Sequence, residues 1–170
     1  MKYQKANYLV VQYKDLRNMA KDLKYYTDCF DDLNRNMENG PAPHKPILLL
    51  SVIRMFEEGI FTNNQIYITP YLVASFKSYW KELVFSKHLP NFATPFFHLK
   101  SEPFWSLVPK EGQDRLLKSQ RTICGLNGLT NSVSFAVIDK ELMHLLLDVE
   151  SREKLKSHLL NNCLPQEGIN

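Results

Sequence analysis

The sequence predicts an α+β fold, mainly α. About five helices surround a central apolar helix at 46–58, with a small sheet or hairpin drawn from about 65–69, 95–108 and 132–137. Three observations carry this expectation. Leu16, Met19, Ala20, Leu23, Tyr26, Cys29, Phe30 and Leu33 recur at steps of three and four, the spacing of an amphipathic helix. The stretch from Ile47 to Glu58 is apolar nearly all round, which suits a helix enclosed by others. Short alternating runs such as Gln65 to Thr69 suit strands.

In chain order, the first helix is expected over Lys14 to Met37, before a loop at 36–43 that holds Asn, Gly and two prolines. Pro43-His44-Lys45-Pro46 opens the central helix. Pro46 fits its first position, where a missing N–H costs nothing, and Gly59 fits its stop. Thr69-Pro70 opens a third helix to about Phe85, with Leu72, Phe76, Tyr79, Trp80 and Leu83 inward and Lys77 and Lys81 outward. Pro95 to Lys100 and Phe104 to Val108 read as two β-like runs about Ser101-Glu102-Pro103. On a two-residue period, Pro95, Phe97 and Leu99 would share one face and Phe96, His98 and Lys100 the other. Residues 110–132 are polar, glycine-bearing and basic, with no predicted element, and Ser132 to Val137 reads as a last strand. Asp139 is expected to cap a helix through Asp148, and Glu150 to Leu160 to form the final one.

At 170 residues the chain is expected to be one domain, 1–170, with 1–40 as a helical extension packed on it. A content of 44% hydrophobic, 12% aromatic and 23% charged residues belongs to a globular chain rather than a disordered one. The net charge of +3 is mild, but residues 71–121 alone hold 8 Lys/Arg against 4 Asp/Glu, so the excess lies in the middle of the chain. Three widely spaced cysteines, Cys29, Cys124 and Cys163, form neither a disulfide framework nor a CxxC half-site, which favours reduced cytoplasm. They read as small buried apolar residues. No apolar stretch is long enough to span a bilayer, so no membrane partner is expected.

Signs of catalysis are missing from the motifs. His44, His88, His98, His144 and His158 are scattered, and the chain has no HExxH, Gly-rich phosphate loop or GxSxG elbow. No catalytic residue, cofactor or metal is expected. Polyanion binding has better candidates. His44 and Lys45 stand at a helix start, where free N–H groups and a partial positive charge can hold a phosphate. Pro-His-Lys-Pro is equally readable as a rigid helix entry, with His44 hydrogen-bonded to a nearby carbonyl. Asn91 to Trp105, NFATPFFHLKSEPFW, packs more aromatic residues than a hairpin with one buried face needs, although an ordinary hydrophobic hairpin is the plainer reading.

PHKPILLLSVIRMFEEGIF, FKSYW, TPFFHLKSEPFWSL and VIDKELMHLLLDVESREKLKSHLL, in this order and spacing, resemble the sulfur-binding domain of type IV, phosphorothioate-dependent restriction endonucleases over roughly residues 40–162. The resemblance implies a module for double-stranded DNA carrying sulfur in place of a non-bridging phosphate oxygen. The family's HNH nuclease domain has no counterpart in this sequence, so a nuclease, fused or separate, is an implied partner, and a homodimer is left open. Carried onto this chain, the resemblance implies a sulfur pocket at Thr94, Pro95 and His98. It also implies DNA contacts from His44, Lys45, Lys100, Ser101, Arg121, Lys77 and Lys118. Lys45 is the expected rim cation, and Arg121 the expected reader of a guanine edge. Thr94 stands where the family often has an aromatic residue, and His98 where it has a small or flat one.

Physical chemistry supports such a pocket. Sulfur is larger and more weakly hydrated than oxygen, so apolar walls suit it. An ordinary phosphate oxygen would lose water there without regaining hydrogen bonds, at a cost of about 1–3 kcal/mol, or roughly ten- to a hundredfold in affinity. Two alternatives remain at this point: a DNA-binding domain indifferent to sulfur, and a protein-interaction domain of a restriction or defence complex that uses the aromatic segment as its hot spot.

Overall fold

The computed structural model describes residues 21–119 and 122–166. Among them, the elements run α1 (Leu23–Asp31), α2 (His44–Glu57), β1 (Gln65–Ile66), α3 (Pro70–Leu83), α4 (Ala93–His98), β2 (Trp105–Pro109), α5 (Asp114–Ser119), α6 (Gly125–Ser132), β3 (Val133–Ile138), α7 (Lys140–Leu147) and α8 (Val149–His158). A 3-10 turn at Leu99–Ser101 prolongs α4, and a π turn at Leu159–Cys163 prolongs α8. The fold is α+β and mainly helical, as predicted, with more helices than the five expected. No helix among the described residues is long and apolar enough to cross a membrane.

The helix expected over 14–37 is shorter within the described residues, and its 14–20 portion lies outside them. The Asp22 carboxylate accepts from the Tyr25 N–H at 3.0 Å and starts α1 at Leu23. Asp31 and Asp32 close it, because carboxylates are unfavourable beside the partly negative carbonyls of a helix C-terminus. The central helix begins at His44, two residues before Pro46, which still falls in the first turn where N–H groups have no intrahelical partner. Gly59, at φ +70°, provides the left-handed residue that ends it. Ile47, Leu48 and Leu50 are fully buried, and α2 packs on α3, α4, α7 and α8. In α3 the Thr69 hydroxyl accepts from the Leu72 N–H at 3.1 Å, the predicted cap.

The three strands form an antiparallel sheet in the order β1-β3-β2. β3 pairs Val137 with Gln65 on one side and with Ser106 on the other, and the β2 ladder slips at Val108/Pro109. β1 has only two residues, because Tyr67 to Thr69 leave the sheet to start α3.

Pro95 to Lys100 is not a strand. The Asn91 side chain accepts from the Thr94 N–H at 3.1 Å, Pro95 sits in the first turn, and Phe92 and Phe96 meet one turn apart at 5.7 Å between ring centroids. The aromatic period is therefore that of a helix, and the alternating faces expected for 95–100 do not exist. Phe76, Phe92, Phe96 and Trp105 form a continuous ladder with centroid spacings of 5.6, 5.7 and 5.2 Å. Each such pair contributes about 0.5–1.5 kcal/mol beyond its burial. The Trp105 indole N–H donates to the Phe96 carbonyl at 3.1 Å, fixing α4 to β2.

Two further expectations are corrected. Residues 110–132 contain α5 and α6, which bury few apolar residues, among them Leu117 and Leu129; so sparse an apolar set gives no periodic signal. Asp139 makes no side-chain cap to α7. Its carboxylate instead accepts from the fully buried Tyr26 hydroxyl at 2.9 Å and from Lys21 at 2.8 Å, tying α1 to the start of α7. Burial, then the bond to Asp139, pushes the Tyr26 phenol well above its ordinary pKa.

Candidate functional site

The ladder turns Phe96, Phe97 and Leu99 into the core and leaves half-buried Thr94 and His98 on the side of α4 that faces the start of α2, with Pro95 buried between them at the floor of the same side. Between them lies a pocket of about 500 Å³. His44 and Lys45 enter it from α2, Ser101 from the turn after α4, Asn34, Arg35, Asn36 and Ala42 from the α1–α2 connection, and His88 from the α3–α4 connection. Six residues singled out in the sequence, His44, Lys45, Thr94, Pro95, His98 and Ser101, thus share one cavity.

The electrostatics differ from the expectation. Lys45 is only 6% exposed and forms an ion pair with the buried Glu102 carboxylate. Glu102 also accepts from Ser101 Oγ at 3.2 Å and the Asn34 N–H at 3.1 Å, while the Lys45 ammonium donates to Ser101 Oγ at 3.2 Å. Lys45 is therefore not an exposed rim cation. Burying an ammonium requires a compensating carboxylate, and Glu102 is that group. Arg35 is the cation that the sequence reading missed: half-buried at the pocket, its Nη1 donates to the Cys163 carbonyl at 2.8 Å. Its local sequence, Asn-Arg-Asn inside a segment expected to be helical, carried no signal of that place.

His44 matches the plainer alternative for its segment. Its Nε2–H donates to the Leu89 carbonyl at 2.9 Å, and its ring lies 4.6 Å from that of Trp80. Burial lowers its pKa, the Leu89 bond opposes the shift, and neighbouring His88 adds to it. His88 donates from Nε2 to the Glu38 carbonyl at 3.2 Å and accepts at Nδ1 from Ser86 at 2.7 Å. The pKa of His98 is lowered by burial, then by Lys45 and Lys100. His44 and His98 are thus neutral at neutral pH. Pro43 at the N-cap of α2 makes no side-chain cap bond to the first-turn N–H groups.

The remaining candidates lie elsewhere. Lys100 is exposed, with its ammonium 3.7 Å from the centre of the Phe97 ring and 3.4 Å from the Leu117 carbonyl, and partial burial lowers its pKa. Lys77 on α3 and Lys118 on α5 are exposed and do not line the pocket. Arg121 lies outside the described residues. Among the described residues, Asp31, His158 and Cys163 are the set spaced to hold a metal ion. No family model and no curated protein matches this chain.

Chemically, the pocket combines apolar surface from Pro95, Ala42 and the Thr94 methyl with an internally compensated lysine, one arginine, the imidazoles of His44, His88 and His98, and the polar side chains of Asn34, Asn36 and Ser101.

Proposed function

We propose that this chain is a binding module for double-stranded DNA bearing a backbone phosphorothioate, with the sulfur seated against Pro95 and Thr94. The observation that carries the reading is the meeting of Pro95 and Thr94 with the α2 N-terminus and Arg35 in one pocket whose lysine is already neutralised by Glu102. Arg35 and the α2 N–H groups balance the charge of the linkage, while the apolar wall withholds the donors that a phosphate oxygen needs. Exposed Lys77 and Lys118 are available to flanking phosphates. In this role the module serves a type IV restriction system whose cutting is done by a nuclease domain.

The test is a titration of one duplex with and without a single phosphorothioate, at several salt concentrations. At least tenfold tighter binding of the sulfur form is expected, with Thr94→Asp abolishing the preference. Arg35→Ala should weaken both forms and reduce the salt slope by about 1. Equal affinity for the two duplexes would leave a DNA-binding domain indifferent to sulfur. Salt-independent or undetectable binding to both would point to a protein-interaction surface instead.

A further inference from the structure

Residues five apart fall toward opposite sides of an α-helix, but the i→i+5 pattern of a π turn brings them round to one side. The π turn after α8 does this for His158 and Cys163, and both meet Asp31 at the end of α1. His158 Nε2 lies 2.7 Å from Asp31 Oδ1, and Cys163 Sγ lies 4.0 Å from the same oxygen. All three donor atoms lie within 4.8 Å of one another. The setting is electronegative: Cys163 Sγ faces the Phe30 carbonyl at 3.5 Å, and the last turn of α1 holds no basic residue.

We infer that Asp31, His158 and Cys163 form a site for a thiophilic divalent ion of the Zn²⁺ or Co²⁺ type, with water completing four-coordination. One carboxylate, one imidazole and one thiolate suit these ions, whereas Mg²⁺ and Ca²⁺ require oxygen donors throughout. With metal–sulfur bonds of about 2.3 Å and metal–N/O bonds of about 2.0 Å, a tetrahedral ion places sulfur roughly 3.5 Å from the other donors and those two roughly 3.3 Å apart. Sulfur needs to close by about 0.5 Å on the carboxylate and by up to about 1.3 Å on the imidazole, and imidazole and carboxylate need to open by about 0.6 Å, through side-chain rotation. His158 lines a groove along α8 that also holds Glu150, Glu153 and Lys154, and Asp31 is exposed, while Cys163 is buried behind them. Binding exchanges the Cys163 thiol proton for the metal, the proton leaving to solvent. Arg35, held by the Cys163 carbonyl, connects this cluster to the pocket, but the metal site does not depend on the DNA reading.

The experiment is an anaerobic Co²⁺ titration of the metal-free protein, followed by absorbance. One equivalent is expected to produce visible d–d bands and a near-ultraviolet thiolate-to-cobalt charge-transfer band, both displaced by Zn²⁺. Cys163→Ser should remove the charge-transfer band. His158→Gln, at a half-buried position that should tolerate the change, should weaken binding at least tenfold, and a Cys29→Ser/Cys124→Ser double variant should behave as wild type. Zn²⁺ should raise the thermal midpoint of the wild type and the double variant but not that of His158→Gln. No charge-transfer band, one that is lost in the double variant, or one with unchanged affinity in His158→Gln overturns the inference.

Discussion

Glu102 offers the sharpest test of how the pocket is built. Its carboxylate receives the Lys45 ammonium, the Ser101 hydroxyl at 3.2 Å and the Asn34 N–H at 3.1 Å. The Lys45 and Glu102 side chains are only 8% and 7% exposed. Glu102→Ala strands a buried ammonium and a backbone amide, which is expected to cost about 3–5 kcal/mol. At roughly 2–4 °C per kcal/mol for a domain of this size, the thermal midpoint should fall by about 6–20 °C. Urea unfolding followed by the fluorescence of the two tryptophans, buried Trp80 and Trp105, reads the loss directly. Lys45→Met/Glu102→Leu, which removes both charges and keeps volume, should recover most of that stability. Glu102→Gln should also tighten binding of unmodified DNA, because Lys45 then carries an uncompensated charge. The reasoning fails if Glu102→Ala lies within about 1 kcal/mol of wild type, or if the double variant loses the sum of the single effects.

Tyr26→Phe, which removes a buried hydroxyl from the Asp139 carboxylate, should cost about 1.5–3 kcal/mol in urea unfolding, and a value near zero would mean the bond is not formed. Thr69→Ala removes the α3 cap and should cost about 1 kcal/mol by the same measurement. His44 and His98 have pKa values below the ordinary 6.5. Below about pH 6.5 the unfolded chain therefore binds protons that the folded chain still refuses, so their contribution to stability is complete above that pH and is lost on acidification. His44→Gln/His98→Gln should accordingly show a smaller loss of stability between about pH 7 and pH 5 than wild type, and parallel losses would contradict the lowered values.

Much of the helical frame was legible in sequence because its signals are local. Pro46 and Gly59 bracket α2, Thr69-Pro70 announces α3, and an all-round apolar face marks the helix that others enclose. The α4 segment was misread for a reason equally physical. Six residues crowded with Phe and Pro fit a period of 2 as readily as one of 3.6, and what separates them is the Asn91 side chain on the Thr94 N–H together with the Trp105 indole on the Phe96 carbonyl. Six of the positions gathered in the pocket were found from the helix start and segment order, yet Arg35 and the charge balance were not. Nothing near Lys45 in sequence reveals Glu102, Arg35 reads as a helix residue, and Cys163 shows no local partner in Asp31.

The bounds of α2, the start of α3 and the central place of α2 are written in the sequence, because capping, all-round apolarity and proline or glycine geometry act between residues a few positions apart. Which charges are left over depends on the packed fold. A buried cation is neutral in effect or exposed in effect according to a partner brought from elsewhere in the chain, and no local pattern encodes that distance.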